Sequence, residues 1–353
     1  MSKPKVYIYT PLDESRKSHE EIAAAGCEVA LGDLTWRTTM GATHEDVLAP
    51  GLGAHAMIGG IVRGLTFDGA FMDRMPDLRI IAKYSIGYDD IDIDAAADRG
   101  ILVTHSPTEA NWGAVAEGTM AMMLGLLKQV RERDRHVKEG GWRIPELDAT
   151  YLGQRQDGYG GITVGIIGLG RIGSRIADLL APWRVRLIAC DPYVDESKFA
   201  HHNIQAVDLE ALLKESDVVT IHCNLTKETR HLISEAQFTL MKPSAIIVNA
   251  ARGPIVDGDA LFDALDKDVI AGAAIDVFEI EPISTQSPLL GLGDKILVSP
   301  HNISATRGGG LGPAIPWATR AALTALRGEV PRHVVNEDAL PKWRDRFGGN
   351  SLI

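Results

Sequence analysis

The 353 residues are 45% hydrophobic and 24% charged, an ordinary globular composition long enough for two or three domains, which excludes a disordered, collagenous or fibrous chain. Thirty-six Lys and Arg against 47 Asp and Glu leave a net charge of −11, so a nonspecific phosphate-backbone binder is excluded and no nucleic-acid partner is expected. Small anions stay within reach, because local arginines and helix N-termini override a diffuse field screened over about 8–10 Å.

In chain order, the apolar run 5–9 is cut short by Thr10, Pro11 and Asp13 and reads as a first strand, not as a secretory signal. Further strands are predicted at 56–61, 80–83 and 102–104, with a helix at 18–25, and together these make a first α/β unit. A long helix over 113–139 follows, its start marked by Ser106-Pro107 and Asn111 and its end by Gly140-Gly141. From Gly161 the alternation becomes strong. Strands are predicted at 162–167, 185–190, 218–222, 245–250, 271–277 and 296–299, and helices at 171–180, 209–214, 234–241 and 258–265. Strands apolar at nearly every position belong to a parallel sheet buried on both faces, and the intervening helices make it doubly wound. After Ser299 only a helix at 318–326 and a polar tail remain, the tail (340–353) reading as an exposed or partner-wrapping extension. That remnant is too small to fold alone and returns to the first unit. The expected domains are therefore a discontinuous one, 1–105 with 303–353, and an inserted one, 106–302.

No window approaches the roughly 18 uncharged apolar residues of a membrane span, so no membrane partner is expected. Cys27, Cys190 and Cys223 are odd in number and scattered, which suits packing residues in a reducing cytoplasm better than disulfides or metal ligands.

Gly168-Leu169-Gly170-Arg171-Ile172-Gly173 directly follows a predicted strand and opens a helix, the context in which this glycine pattern binds a dinucleotide. Gly168 permits the tight turn, Gly170 admits the pyrophosphate to the backbone, and Gly173 lets helix pack on strand. Arg171, on the first turn, either contacts the pyrophosphate or is simply an exposed arginine, and Ile172 beside it completes the cofactor-contacting loop. Asp191 ends the next strand, where a carboxylate takes the ribose hydroxyls and repels a 2′-phosphate, so the cofactor is NAD in preference to NADP. The fold class is α/β, with two doubly wound domains: a Rossmann NAD-binding domain inserted into a discontinuous flavodoxin-like substrate domain.

Polar residues just beyond strand ends are the first catalytic candidates in such a sheet. Arg252, Glu281 and His301 hold such positions. Alone, each has a bland reading as an ion-paired, loop or packing residue. Together they are what hydride reduction of a 2-keto acid requires. A guanidinium fork binds the carboxylate and polarises the carbonyl, an imidazole supplies the proton, and a carboxylate orients that imidazole and favours its charged form. No ligand cluster suggests a metal, and with Arg252 as electrophile none is required.

The segments Tyr84-Ser-Ile-Gly-Tyr-Asp-Asp-Ile-Asp92, Ala114-Val-Ala-Glu-Gly118, Gly168 to Gly173 with Asp191, Asn249-Ala-Ala-Arg-Gly253, Asp276-Val-Phe-Glu-Ile-Glu-Pro282 and Pro300-His301 with Thr306 resemble those of the D-isomer specific 2-hydroxyacid dehydrogenase family. The family includes D-3-phosphoglycerate, glycerate, hydroxypyruvate and glyoxylate enzymes. The resemblance covers nearly the whole chain and implies an NAD-dependent oxidoreductase acting at C2 of a small anionic 2-keto or 2-hydroxy acid. It implies that the amides of Ser85, Ile86 and Gly87 hold the substrate carboxylate with Arg252, the bland alternative being a turn rich in small residues, and that His301 acts as acid and base on the substrate. It also implies that Asn224 and Ala250 line the nicotinamide ribose, that Asp276 bonds the nicotinamide amide, and that the chain is a homodimer joined through the cofactor domains and the helix near 113–139. Asn111 is either a cofactor or substrate contact or a helix cap.

Two departures from the family pattern stand out, Gly118 for a bulkier residue and Ile303 for glycine or alanine. The stretch 308–313 with Pro316-Trp317 is expected to form a substrate-facing loop walled by Trp317, and Arg63 either meets a second anionic group or is an exposed strand-end residue. His222 and Cys223 read as packing residues, and His201-His202 as a solvated turn. An NAD-sensing corepressor of the same fold, or a formate- or phosphite-type dehydrogenase, remains an alternative, with Glu281 leaning away from formate.

Overall fold

The structure, a computed structural model, describes residues 3–35, 41–307 and 310–353. The chain forms two compact units, Met1–Asn111 with Ala305–Ile353, and Trp112–Ser304.

The first unit is built on a parallel sheet of β1 (Lys5–Ile8), β2 (Glu28–Leu31), β3 (Ala56–Gly59), β4 (Ile80–Lys83) and β5 (Leu102–Thr104). Their order, β2-β1-β3-β4-β5, is the flavodoxin-like one. The sequence gives no sign of β2, because this edge strand is partly exposed at every residue and lacks a continuous apolar run. The helix Ile315–Leu326 lays Ala318, Ala322, Leu323 and Leu326 into the core of this sheet.

The tail 340–353 is not the expected exposed extension. Its helix, Leu340–Phe347, buries Trp343 completely, and the indole Nε1 donates to Arg79 O at 3.0 Å. Leu340, Trp343 and Phe347 recur at helical spacing, so a segment polar in composition still carries one apolar stripe.

The second unit contains β6 (Thr163–Ile167), β7 (Arg186–Cys190), β8 (Gln205–Ala206), β9 (Val218–Ile221), β10 (Ile246–Asn249), β11 (Gly272–Ile275) and β12 (Ile296–Val298). The order β12-β11-β10-β9-β6-β7-β8 is that of a Rossmann sheet with one added strand, and apolar clusters cover both faces. Ile167, Cys190, Ile221, Asn249, Ile275 and Val298 pair across it in a single row. The residues immediately beyond that row therefore line one edge, the carboxyl ends of the strands.

The expected helix over 113–139 is two helices, Glu109–Leu127 and Val130–Lys138, separated at Gln129, whose φ is +49°. The first buries Ala116, Met120 and Met123, whereas the second is highly charged and buries none of its residues. Because the first begins at Glu109, Asn111 lies inside its opening turn and is not its cap. His201-His202 is a solvated turn only in part, since His201 is exposed and His202 opens a turn but is largely covered. His201 ends the helix Glu196–His201, and His202, its side chain only 9% exposed, meets Asp178 at 2.8 Å. Among the described residues no helix is long and apolar enough to cross a membrane.

Candidate active site

The turn after β6 shows why its glycines stand where they do. Gly168 has φ +90°, and a Cβ there would lie 2.6 Å from Cys223 N. At Gly173 a Cβ would overlap Gly168 O, so the helix Arg171–Leu180 packs directly on the strand turn. Gly170 differs: no atom lies within 4 Å of where its Cβ would be. The backbone there faces open space at the amino end of a ten-residue helix, where free N–H groups and the helix dipole favour an anion. Asp191 follows β7 and accepts hydrogen bonds from Leu169 N at 2.7 Å and Tyr193 N at 3.0 Å, which fixes its carboxylate against the glycine turn. Arg171 is exposed on the first turn, while Ile172 turns partly into the core. These residues fit a dinucleotide with a free ribose. Ala250 follows β10 and is buried; Asn224 lies beyond β9, exposed, its carbonyl accepting from Thr229 Oγ1 at 2.6 Å.

His222 and Cys223 behave as packing groups. Burial pulls His222 down to about 3 and pushes the Cys223 thiol up to about 11. Neither is poised as a base or nucleophile near neutral pH.

Arg252, Glu281 and His301 follow the adjacent strands β10, β11 and β12. His301 Nδ1 meets both Glu281 oxygens, at 2.9 and 2.8 Å, and Glu281 also accepts from Phe278 N at 3.0 Å. Arg252 ends a turn pinned by Asn249, whose amide nitrogen donates to Arg252 O at 3.0 Å and whose amide oxygen accepts from Ala251 N at 3.1 Å. The next residue has to be glycine, since a Cβ at Gly253 would overlap the Phe278 carbonyl. Contact at Gly253 thus presses the arginine turn against the segment leading to Glu281. Asp276, 1% exposed, accepts from the amides of Asn302 at 3.0 Å and Ile303 at 3.4 Å, which ties it to the histidine segment.

Asn249 and this use of Asp276 escape sequence reasoning. The only available signal is a polar residue ending a strand that is otherwise wholly apolar. Among the described residues no group of three or more His, Cys, Asp or Glu is arranged to hold a metal.

In the first unit the Ser85-Ile86-Gly87 turn is ordered by its own bonds. Ser85 Oγ donates to Gly87 O at 2.6 Å, Ser106 N donates to Ser85 O at 3.1 Å, and His105 Nδ1 approaches Ile86 O at 3.1 Å. Beneath it lies a further feature the sequence reading missed, the fully buried Lys83. Its ammonium donates to both Asp90 oxygens at 2.7 and 2.6 Å, to Tyr9 OH at 2.9 Å and to Gly60 O at 2.6 Å. Asp90 also accepts from Val62 N at 2.9 Å, so one buried pair holds the chain segments after β3 and after β4. A lysine closing the apolar run Ile80 to Ala82 was its sequence signal.

Arg63 lies half-buried just after β3. Trp317 stacks on His333 at 5.2 Å and 14° and borders a cavity of about 520 Å³ shared with His105 and Arg320. Residues 308 and 309 of the expected substrate-facing loop lie outside the described residues.

A glycine turn open at 170 and closed by a carboxylate at 191 suits an adenine dinucleotide, and a carboxylate-backed imidazole on the same strand-end row suits proton transfer beside it. The class these define is a nicotinamide-dependent oxidoreductase. Residues 120–302 match the family model described as D-isomer specific 2-hydroxyacid dehydrogenase, NAD binding domain. A glyoxylate reductase of Thermofilum pendens is 39% identical over 278 residues, covering 77% of this chain and 79% of that one. A D-3-phosphoglycerate dehydrogenase of Mycobacterium bovis is 34% identical over 98% of this chain and 62% of its own. Among solved structures, the D-lactate dehydrogenase of Aquifex aeolicus complexed with NAD and lactic acid superposes with a TM-score of 0.76 at 26% identity, covering 96% of this chain and 98% of that one. The chain belongs to the D-isomer specific 2-hydroxyacid dehydrogenase family and is an NAD-dependent enzyme of it.

Proposed function

We propose that the protein reduces a short 2-keto acid of the glyoxylate and hydroxypyruvate type to the corresponding 2-hydroxy acid, with His301 as proton donor, Glu281 as its support and Arg252 as carboxylate binder and carbonyl polariser. The observation that carries this is the hydrogen bonding of His301 Nδ1 to both Glu281 oxygens at 2.9 and 2.8 Å. NADH, when bound, supplies the hydride that C2 receives. Gly168, Gly170, Arg171, Ile172 and Gly173 hold its pyrophosphate, Asp191 its adenosine ribose, and Asn224, Ala250 and Asp276 its nicotinamide end. Glu281 keeps a proton on Nδ1, so Nε2 is the nitrogen that gives its proton to the substrate's carbonyl oxygen and is left neutral. In the oxidising direction neutral Nε2 takes the hydroxyl proton. Arg252 offers two N–H groups to the substrate, which counter the carboxylate and the charge developing on the C2 oxygen.

Short substrates are supported by the similarity to glyoxylate reductases, 39% identity over most of both chains. We further assign a homodimer. Val130, Val137, Trp142, Ile144, Tyr151 and Tyr159 are all exposed within one stretch of the cofactor unit's sequence, Trp142 at 72%, and this supports an interface there. Three free cysteines suit a cytoplasmic location.

The test is NADH oxidation with glyoxylate, hydroxypyruvate and phosphohydroxypyruvate side by side, repeated with NADPH. Turnover with the first two and a preference for NADH are expected. In His301→Ala, kcat should fall by about 10³-fold while NADH still binds. Undiminished turnover in that variant, or NADH binding with no turnover of any keto acid by the wild type, defeats the proposal, the latter result favouring an NAD-sensing binding protein.

A further inference from the structure

Glycine inside a long helix costs about 1 kcal/mol relative to alanine, so Gly118, in the middle of Glu109–Leu127, needs a physical reason. The reason is Ile303. A Cβ at position 118 would overlap Ile303 Cγ1 and lie 2.9 Å from its Cδ1 and 3.0 Å from its carbonyl oxygen. The isoleucine fills the space a side chain at 118 would need, and it packs on the core cluster containing Ala116 and Met120. Its β-branch makes it stiff, so it has little freedom to swing aside.

Ile303 stands two residues beyond His301, in a segment with no helix or strand of its own. His301 has φ +50°, a left-handed conformation that costs a non-glycine residue about 1–2 kcal/mol and persists only where surroundings impose it. Three restraints fall on three consecutive residues. Glu281 holds the His301 ring, Asp276 accepts the Asn302 and Ile303 amides, and the gap at Gly118 holds the Ile303 side chain.

We propose that Ile303 is a positioning residue for the reaction, its side chain seated in the gap left by Gly118 so that the His301 segment is clamped to the helix Glu109–Leu127 with the imidazole on Glu281. This rests on His301 being the acid and base. Filling the gap drives Ile303 outward and carries the Asp276 bonds and the histidine with it. Removing the isoleucine leaves the segment looser but unobstructed, and removing it while filling the gap relieves the collision.

The experiment compares Gly118→Ala, Ile303→Ala and the double variant of the full-length enzyme, measuring kcat, KM, the pH profile of kcat/KM with glyoxylate, and NADH affinity. Gly118→Ala should lower kcat by about 10- to 100-fold with NADH affinity retained. Its alkaline limb should move to lower pH, because an imidazolium displaced from Glu281 loses its proton more readily. Ile303→Ala should lose less, and the double variant should recover above Gly118→Ala. Multiplicative losses in the double variant, or an unmoved pH limb in Gly118→Ala, overturn the proposal. Should Gly118→Ala fail to fold, Ile303→Val and Ile303→Ala decide. Valine keeps the branch and should retain the wild-type limb, and identical profiles for the two overturn the clamp. His301→Ala separates the premises: if it stays active the acid–base assignment fails, and if it is inactive while the losses multiply, only the clamp fails.

Discussion

At the scale of single residues, the two histidines at strand ends show how environment decides role. His301 is partly exposed and carboxylate-backed, whereas His222 is enclosed, its Nε2 on Thr220 Oγ1 at 2.8 Å and its Nδ1 without a hydrogen-bond partner. The chain already distinguished them, His222 as a packing residue and His301 as an imidazole backed by Glu281, but the depth of burial that separates them is set by neighbours distant in sequence. His222 carries a consequence for acid stability. Its ordinary value of 6.5 is lowered to about 3 by burial. Between those limits the unfolded chain binds the extra proton, so this contribution to stability is complete above 6.5 and is lost as pH falls toward 3, by at most about 1.4 kcal/mol per pH unit. His222→Gln should therefore show a shallower fall in Tm than wild type between about pH 7 and pH 5. Parallel curves would mean that His222 is not held neutral.

At the scale of elements, the site depends on places where one segment leaves no room for a side chain on another. Gly168, Gly173, Gly253 and Gly118 each mark such a contact. The sequence pattern exposed the first two because their spacing after a strand is distinctive. Gly253 stood next to a candidate arginine but gave no hint of Phe278, and Gly118 and Ile303 appeared as separate oddities. Gly168→Ala combines a φ of +90° with a Cβ 2.6 Å from Cys223 N. It should cost about 2 kcal/mol or more of stability and weaken NADH binding at least about tenfold, measured by thermal unfolding and fluorescence titration. Wild-type affinity in that variant would mean that the turn tolerates a side chain and that its geometry is not what admits the cofactor. Strand prediction failed at β2 and β8 for a related reason. Both are partly or fully exposed edge strands, so their pairing partners, not their own hydrophobicity, make them strands.

At the scale of the whole molecule, the exposed apolar residues are unevenly distributed. Trp142 at 72%, Val130 at 57% and Val137 at 54% lie on the cofactor unit around the helix Val130–Lys138, whose charged sequence gave no such warning. Trp142→Asp should shift the enzyme from dimer to monomer in sedimentation equilibrium. A wild type that is already monomeric, or a variant that dimerises as tightly, would remove the assigned interface. The opposite error occurred at the other end of the chain, where a polar composition suggested an exposed tail and Trp343 proved to be wholly buried.

The sequence by itself determined the two doubly wound sheets, the dinucleotide turn and the three residues proposed for catalysis, because these rest on local patterns: apolar runs of strand length, glycines at fixed offsets, and polar residues just past strand ends. Tertiary structure alone decided what fixes those residues in place. The strand register that brings Gly168, Asp191 and Asp276 to one edge, the Asp276 bonds to the histidine segment, the bonds from buried Lys83 and Asp90 to Tyr9, Gly60 and Val62, and the Ile303 seat at Gly118 all join positions far apart in the chain. Contacts of that kind depend on shape and burial, which have no periodicity for a sequence to display.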